Sequence, residues 1–160
     1  MHACGQAFAF AKEGYQVLGI DLTDGMIKVA INRMRSDNAV FGVADATKMP
    51  LKDGIFDVSC VSFALHEMPL KMTEEALREM VRVTRPNGML VIVDYDLPRN
   101  KVGRYLIYNF VRLYEGKYYS RFIKSNIEAT LMKSGIKVSE AHPALLRTVR
   151  ILKGVKSSIN

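Results

Sequence analysis

Two carboxylates stand at the ends of short apolar runs in the first third of the chain. Asp21 closes the run of residues 16–20, and Asp45, followed by Ala46, closes the run of residues 40–43. Such runs are typical of buried parallel strands, and ligands bind beyond the carboxyl ends of these strands. A carboxylate there can accept hydrogen bonds from both hydroxyls of a ribose, and one beside a backbone amide can bind the edge of an adenine. The alternative for both residues is a local role as a turn-forming or helix-capping carboxylate.

His66 follows a third apolar run, residues 55–63, and is a candidate proton acceptor. Histidine gains and loses a proton near neutral pH, which suits it to general base catalysis. The alternative is a histidine that packs under the loop with its ring bonded to the backbone. We predict no role for His142, which lies between two late strands.

The elements that must position these residues alternate between strands and helices along residues 6–94. Apolar runs predict the strands, and apolar residues at helical spacing predict the helices. The predicted strands are 16–20, 40–43, 55–63 and 89–94, and the predicted helices are 6–12, 23–34 and 73–84. This alternation indicates βαβ units, a parallel sheet and right-handed crossovers.

The later part of the chain follows a different pattern. Residues 101–119 are aromatic and basic with a partial helical period, and residues 120–134 predict an amphipathic helix. Two final strands, 136–141 and 145–152, are predicted on either side of Pro143.

Composition favours one domain over residues 1–160. A chain of 160 residues with 49% hydrophobic content can bury a sizeable core. Its two cysteines, Cys4 and Cys60, have no metal-binding spacing, so no metal site is predicted. No apolar stretch approaches the roughly 20 residues that cross a bilayer, and the sequence therefore predicts a soluble, cytoplasmic protein.

The positive charge lies late in the sequence. Residues 101–160 carry 12 Lys and Arg against three Asp and Glu, whereas residues 1–100 carry 11 against 13. A basic surface of this kind can attract an anionic small substrate, an anionic membrane surface or nucleic acid. The alternative is an ordinary solvated basic surface.

Several motifs in a fixed order resemble class I S-adenosylmethionine-dependent methyltransferases, in the small-molecule branch similar to ubiquinone and menaquinone C-methyltransferases. The resemblance covers most of residues 3–94. The matching stretches are 3–5, 14–26, 43–50, 56–67 and 79–88. Residues 120–153 are similar to the last helix and the closing strands of that family.

The resemblance implies S-adenosylmethionine as the cofactor and assigns its adenosine part to the first two strand ends. Asp21 would hold the ribose, and Leu22 and Met26 would pack on the adenine. Asp45 and the Ala46 amide would bind the adenine edge. The alternative for Leu22 and Met26 is an ordinary core position.

The same resemblance assigns three residues to the methionine part of the cofactor. Gly5 would belong to the glycine-rich loop, whose backbone approaches the cofactor closely. Ser62 and Phe63 would border the methionine part, although Phe63 is also typical of a packing aromatic. The segment 95–119 would cover the acceptor, with its aromatic residues forming a pocket for a planar or anionic molecule.

The implied fold is α/β, a Rossmann-like, mostly parallel sheet with helices on both faces, an antiparallel closing strand and the first central strand absent. Members of the family begin with a strand and a full glycine-rich loop, whereas Gln6 follows Gly5 directly here. An unfilled gap would leave buried backbone groups unpaired at about 1–3 kcal/mol each. We therefore expect a longer natural protein, direct pairing of the flanking strands, or a homodimer with strand exchange.

The sequence thus favours methyl transfer from S-adenosylmethionine to a small acceptor, with catalysis mainly by proximity and orientation. A non-catalytic binding or assembly module is one alternative, because most of the glycine-rich loop is absent. An RNA methyltransferase is a less favoured alternative, suggested only by the basic later part. Residues 62–65 read Ser-Phe-Ala-Leu rather than the Asn/Asp-Pro-Pro-aromatic pattern of enzymes that methylate base amines.

Overall fold

A computed structural model describes residues 5–97, 101–114 and 118–157. The chain divides into two compact units, Met1–Pro50 and Leu51–Asn160, and each is described by itself. None of the helices in the described ranges has the length and hydropathy needed to cross a bilayer. The same ranges contain no group of three His, Cys, Asp or Glu side chains arranged for a metal ion.

The first unit is a βαβ unit preceded by a helix. Its elements are α1 (Gly5–Lys12), β1 (Val17–Asp21), α2 (Asp24–Arg33) and β2 (Ala39–Val43). The strands β1 and β2 pair in parallel, with Val17 opposite Ala39 and Asp21 opposite Val43. After α1 the chain turns at Gly14, whose φ of +89° is in the region that glycine adopts without strain. Ala11, Ile27 and Ala30 are the buried apolar residues of these helices.

The second unit is a four-stranded mixed sheet with helices. Its elements are β3 (Phe56–Ser62), α3 (Leu70–Val83), β4 (Thr84–Tyr95), α4 (Lys101–Tyr114), α5 (Tyr119–Lys124), α6 (Ile127–Lys133), β5 (Ile136–Ala144) and β6 (Val149–Lys156). The strand order is β3-β4-β6-β5. The strands β3 and β4 run parallel, and β6 runs antiparallel to both of its neighbours, β4 and β5.

Helix α3 supplies much of the core of the second unit. Its buried residues recur at helical spacing and are Thr73, Ala76, Leu77, Met80 and Val83. This helix packs against β3, β4 and α6. Leu77 and Leu90 of β4 are both fully buried, so removing apolar surface from water is the main force that holds helix and sheet together.

The predicted fold class is confirmed. Parallel pairs with intervening helices precede an antiparallel closing strand in the described residues. The strands β1 and β3 belong to separate sheets, so the direct pairing of these two strands that we considered is not seen in the described ranges. Residues 3 and 4 of the predicted loop, and residues 98–100 and 115–117 of the predicted cover segment, lie outside the described residues.

Two predicted helices differ in detail from the observed ones. The helix predicted over 120–134 is broken into α5 and α6, because Asn126 caps a new helix by accepting a hydrogen bond from the Ala129 amide at 3.1 Å. Helix α3 begins at Leu70 rather than near Thr73, with Pro69 at its N-cap position. The Thr73 hydroxyl donates back to the Pro69 carbonyl instead of capping the helix.

Candidate active site

Asp21 and Asp45 lie at the same edge of the β1–β2 pair. Asp21 is the last residue of β1 and pairs with Val43, the last residue of β2. The Ala44 amide donates to the Asp21 carbonyl at 3.0 Å, which extends the pairing one residue beyond β2. Because the two strands run parallel, both carboxylates emerge at their carboxyl ends, where ligands bind in folds of this class.

The Asp21 carboxylate is held by its own loop through one oxygen. Its Oδ1 accepts a hydrogen bond from the Thr23 amide at 2.8 Å, and its Oδ2 has no hydrogen bond to a residue in the described ranges. The neighbouring Leu22 is 68% exposed and Met26 is half-buried. The core position considered for Leu22 is therefore wrong, and an exposed apolar side chain stands beside the carboxylate.

Asp45 is exposed and is ordered by Thr47. Its Oδ1 accepts from the Thr47 amide at 2.8 Å and from the Thr47 hydroxyl at 2.7 Å. These bonds favour the ionised form and hold the pKa of Asp45 below its ordinary value of 3.8. The turn-forming role is thus present, and Oδ2 stays available as a second acceptor. Ala46 follows in a half-buried position.

Replacing Thr47 with valine is expected to raise the pKa of Asp45 towards its ordinary value. The hydrogen bond from the Thr47 hydroxyl is lost, whereas the hydrogen bond from the backbone N–H of residue 47 remains. An NMR titration of the Asp45 carboxyl measures this change. Since the folded-state pKa is lowered, these bonds stabilise the fold above the ordinary pKa, and their contribution disappears as the pH falls through the folded-state value. Thr23→Val is the matched control, and an Asp45 titration that is the same in both variants would contradict the assignment.

Gly5, Ser62 and Phe63 occupy different kinds of position. Gly5 is the exposed first residue of α1, and a Cβ placed on it would meet no atom within 4 Å. Ser62 ends β3 opposite Val93. Phe63 follows it with a φ of +50°, which is uncommon for a bulky side chain, while its amide donates to the Val93 carbonyl at 2.8 Å. Strained residues of this kind concentrate at functional sites.

His66 lies in a short 3-10 helix, Leu65–Glu67, and is only 2% exposed. Its Nδ1 is 2.7 Å from Oδ1 of Asp94, which is 1% exposed. The histidine is buried as in the alternative that we considered, but its ring is bonded to a carboxylate as well as packed under the loop. The structure therefore pairs the predicted candidate with an acidic residue that the sequence analysis did not select.

Asp94 acts as an acceptor on several sides. Its Oδ2 accepts from the Leu65 amide at 3.1 Å and the His66 amide at 3.4 Å, and its Oδ1 accepts from the Tyr95 amide at 2.7 Å. Because both oxygens accept, the imidazole Nδ1–H is the donor in the His66–Asp94 bond. The sequence held a signal for this residue, since Asp94 closes the run of residues 89–93 as Asp21 and Asp45 close theirs.

Aromatic rings surround His66. The Tyr95 ring lies 4.7 Å from the His66 ring, and the Phe122 and Tyr119 rings lie at 6.2 and 6.4 Å, all at steep angles. Phe63 extends this cluster through Tyr95, with ring centroids 5.3 Å apart. The geometry gives His66 an apolar, aromatic environment beside the carboxyl ends of β3 and β4.

The aromatic stretch 105–119 divides between the interior and the surface. Tyr119 is buried at 1% exposure, and its ring lies 6.1 Å from that of Tyr108, whose hydroxyl donates to Ser120 at 2.9 Å. Tyr105 and Phe110 are 71% and 64% exposed. Part of the predicted cover therefore contributes to the His66 cluster and part faces outward.

Comparison with known proteins shows the family relation. Residues 3–92 match the family model described as "Methyltransferase domain". The ubiquinone/menaquinone biosynthesis C-methyltransferase UbiE of Azotobacter vinelandii is 38% identical over 92 residues, which cover 55% of this chain and 36% of that protein. The chain thus spans about a third of the length of the curated relatives that it matches.

Solved structures show the same fold. The PH0226 protein from Pyrococcus horikoshii OT3 has a TM-score of 0.77 at 19% identity, and the match covers 97% of this chain and 79% of that one. Magnesium protoporphyrin IX methyltransferase from Synechocystis PCC 6803, solved with bound SAH, has a TM-score of 0.73 at 17% identity, with coverage of 97% and 72%.

Proposed function

We propose that this chain, which belongs to the family of methyltransferase domains, transfers a methyl group to a small aromatic or anionic acceptor. S-adenosylmethionine is the cofactor of the family. The observation that carries the proposal is the position of Asp21 and Asp45 at one edge of a parallel strand pair, in the stretch that matches the family.

The first unit has the donor and acceptor groups that an adenosine needs. With Oδ1 of Asp21 fixed by the Thr23 amide, its Oδ2 can accept from the ribose hydroxyls through charge-assisted bonds. The exposed Leu22 side chain, with Met26, offers apolar surface to the adenine. Asp45 and the Ala46 amide together supply an acceptor and a donor for its edge.

The second unit has groups suited to the methyl acceptor. S-adenosylmethionine, when bound, supplies an electrophilic methyl group on a sulfonium. We propose that His66 takes the proton that the acceptor loses when its new bond to the methyl carbon forms. Asp94 fixes the tautomer by accepting from Nδ1–H, so that Nε2 carries the lone pair.

Glu67 gives this proton a route outward. Its carboxylate oxygen Oε1 lies 3.9 Å from Nε2 of His66, and its side chain is 67% exposed. At this distance the two atoms are not hydrogen-bonded, so we propose that one water bridges them and carries the proton from the buried imidazole to Glu67 and solvent. Ser62 and the strained Phe63 stand at the carboxyl end of β3, and we propose that they border the methionine part of the cofactor.

The acceptor proposal draws on the relatives and on the aromatic cluster. The UbiE relative is named for ubiquinone and menaquinone biosynthesis. Tyr95 and Phe63 present ring faces and edges that can pack on a planar ring. We therefore propose a quinol-type ring, in which the methyl group replaces a ring hydrogen.

Transfer of tritium from methyl-labelled S-adenosylmethionine tests this function. We expect label in a short-chain 1,4-naphthoquinol or 1,4-benzoquinol that has a ring hydrogen, and none in the fully substituted quinol. Calorimetry with S-adenosylhomocysteine runs in parallel. Binding without transfer to any small acceptor would indicate a non-catalytic binding module, and salt-sensitive methylation of RNA would indicate the RNA enzyme; either outcome overturns the proposal.

We also propose that a second copy of the chain adds a strand to the outer edge of β3. Among the strands in the described residues, β3 is at the edge of its sheet, yet its sequence is typical of a central strand, and Val58 is 40% exposed there. Backbone groups along such an edge are a template for strand addition. Sedimentation equilibrium over a range of concentrations measures this, and a monomer throughout would contradict it.

A further inference from the structure

Helix α4 turns an apolar face outward. Four large apolar side chains are more than half exposed: Val102 at 71%, Tyr105 at 71%, Leu106 at 61% and Phe110 at 64%. Their spacing of three, four and eight residues puts them on one side of the helix. A clustered apolar face differs from scattered surface apolar residues, because clusters mark places of interaction.

The opposite side of α4 faces the protein. Tyr108 packs on Tyr119 and donates to Ser120 of α5, while Ile107 and Val111 are half-buried. The helix is therefore attached through one face, and the outward face contributes little to the core. Its apolar character is not required by the packing of the second unit.

Positive charge accompanies this face. Helix α4 contains Lys101, Arg104 and Arg112 and no Asp or Glu. Lys101 and Arg104 are exposed. The next helix, α5, has the sequence YSRFIK, which also contains two basic residues and no acidic one. The charged residues of both helices are thus all basic, and Glu115 is the one acidic residue in the sequence between them.

We propose that this face of α4 docks on the surface of an anionic lipid bilayer, with its apolar side chains inserted at the headgroup level. Exposed apolar residues combined with Lys and Arg on one helix are typical of helices that lie in the membrane interface. The helix of 14 residues is about 21 Å long, enough to lie along the surface. Anionic headgroups attract the basic residues over about a Debye length.

Two other occupants fit less well. A second copy of α4 would bring like charges together, which opposes face-to-face pairing. Single-stranded RNA would stack on aromatic side chains, but Val102 and Leu106 offer aliphatic surface that bases do not use. The combination of aliphatic, aromatic and cationic groups is matched best by lipid.

Vesicle co-sedimentation tests the proposal on the whole chain, without cofactor or acceptor, so its outcome is independent of methyl transfer. We expect binding to vesicles that mix phosphatidylcholine with phosphatidylglycerol, weaker binding to phosphatidylcholine alone, and release by added salt. The double variant Tyr105→Ser, Leu106→Gln should bind at least about 10-fold more weakly, because the inserted apolar surface is lost. Lys101→Glu with Arg104→Glu should weaken binding to anionic vesicles only.

Leu145→Gln is the matched control, because Leu145 is 72% exposed but lies outside α4. It should bind like the unchanged chain. If circular dichroism shows that the Tyr105→Ser, Leu106→Gln variant is folded and it binds vesicles as well as the unchanged chain, the proposal is overturned. It is also overturned by salt-insensitive binding, a dimer that these substitutions dissociate, or retention of RNA without retention of vesicles.

Discussion

Replacing Asp94 with asparagine is expected to lower the rate of methyl transfer by about 100- to 10,000-fold, the range in which a positioned proton acceptor contributes. In the native pair, Nδ1 of His66 lies 2.7 Å from Oδ1 of Asp94. The side-chain amide of asparagine would place an N–H group against Nδ1 instead. The ring would then carry its proton on Nε2, and the lone pair needed for proton removal would be lost. We expect kcat to fall while KM for the acceptor and Kd for S-adenosylhomocysteine stay constant.

A spectroscopic measurement distinguishes this positioning role from a merely structural one. In the native chain, the ¹⁵N chemical shift typical of a protonated ring nitrogen should belong to Nδ1 of His66. In Asp94→Asn it should belong to Nε2, which reports the change of tautomer. The variant should also lose about 2–4 kcal/mol of unfolding free energy, because Asp94 is buried and accepts from three backbone amides. The stoichiometry of S-adenosylhomocysteine binding, measured by calorimetry, shows what fraction of the variant is folded.

Asp96→Asn is the control for Asp94→Asn, since Asp96 lies two residues further along and is only half-buried. It should retain the native tautomer and rate. If Asp94→Asn does not fold, His66→Gln tests the same proton transfer while keeping a polar side chain. A folded Asp94→Asn or His66→Gln that transfers methyl groups at the native rate would refute the role of this pair.

Replacing Asp21 with asparagine is expected to weaken S-adenosylhomocysteine binding by about 10- to 100-fold. Asparagine can still accept from the Thr23 amide, so the local turn survives. The variant loses the negative charge that Oδ2 of Asp21 offers to the ribose. A hydrogen bond to a charged group contributes about 1.5–3 kcal/mol. Isothermal titration calorimetry measures the change in Kd, and thermal unfolding should be nearly unchanged.

Asp37→Asn provides the comparison for Asp21→Asn. Asp37 is exposed and lies just before β2, at the amino end of the strand pair and opposite to the edge that carries Asp21. It should bind S-adenosylhomocysteine as the native chain does. Equal Kd values for the native chain and Asp21→Asn would remove the ribose assignment, even if the chain proved to be a methyltransferase.

Much of the first unit could be predicted from local sequence. Asp21 and Asp45 follow compact apolar runs separated by a helix, and a parallel βαβ unit brings two such strand ends to one edge. Their turn bonds to Thr23 and Thr47 are also local, spanning two residues each. The apolar type of Leu22 does not specify burial, and only the family resemblance, which places its side chain on the adenine, implied that this side chain is accessible.

The site in the second unit was harder to predict from local sequence, because it depends on contacts between residues far apart in the chain. The His66–Asp94 pair joins residues 28 positions apart, and its formation requires β3 and β4 to align so that Ser62 meets Val93. Sequence spacing alone does not fix that register. The break at Asn126 could have been predicted from its capping preference, but the apolar periodicity on both sides favoured one continuous helix.

The strand order of the second unit has a consequence for the order in which its strands can pair during folding. Strand β6 lies between β4 and β5 although it follows both in the chain, and β5 pairs with β6 alone. Strands β3 and β4 can associate with each other, but β5 has no strand to join and both of its edges stay open until β6 has paired with β4. A folding intermediate that contains only the β3–β4 pair should therefore be a target for chaperones and for aggregation through β5, and this exposure ends when β6 docks between β4 and β5.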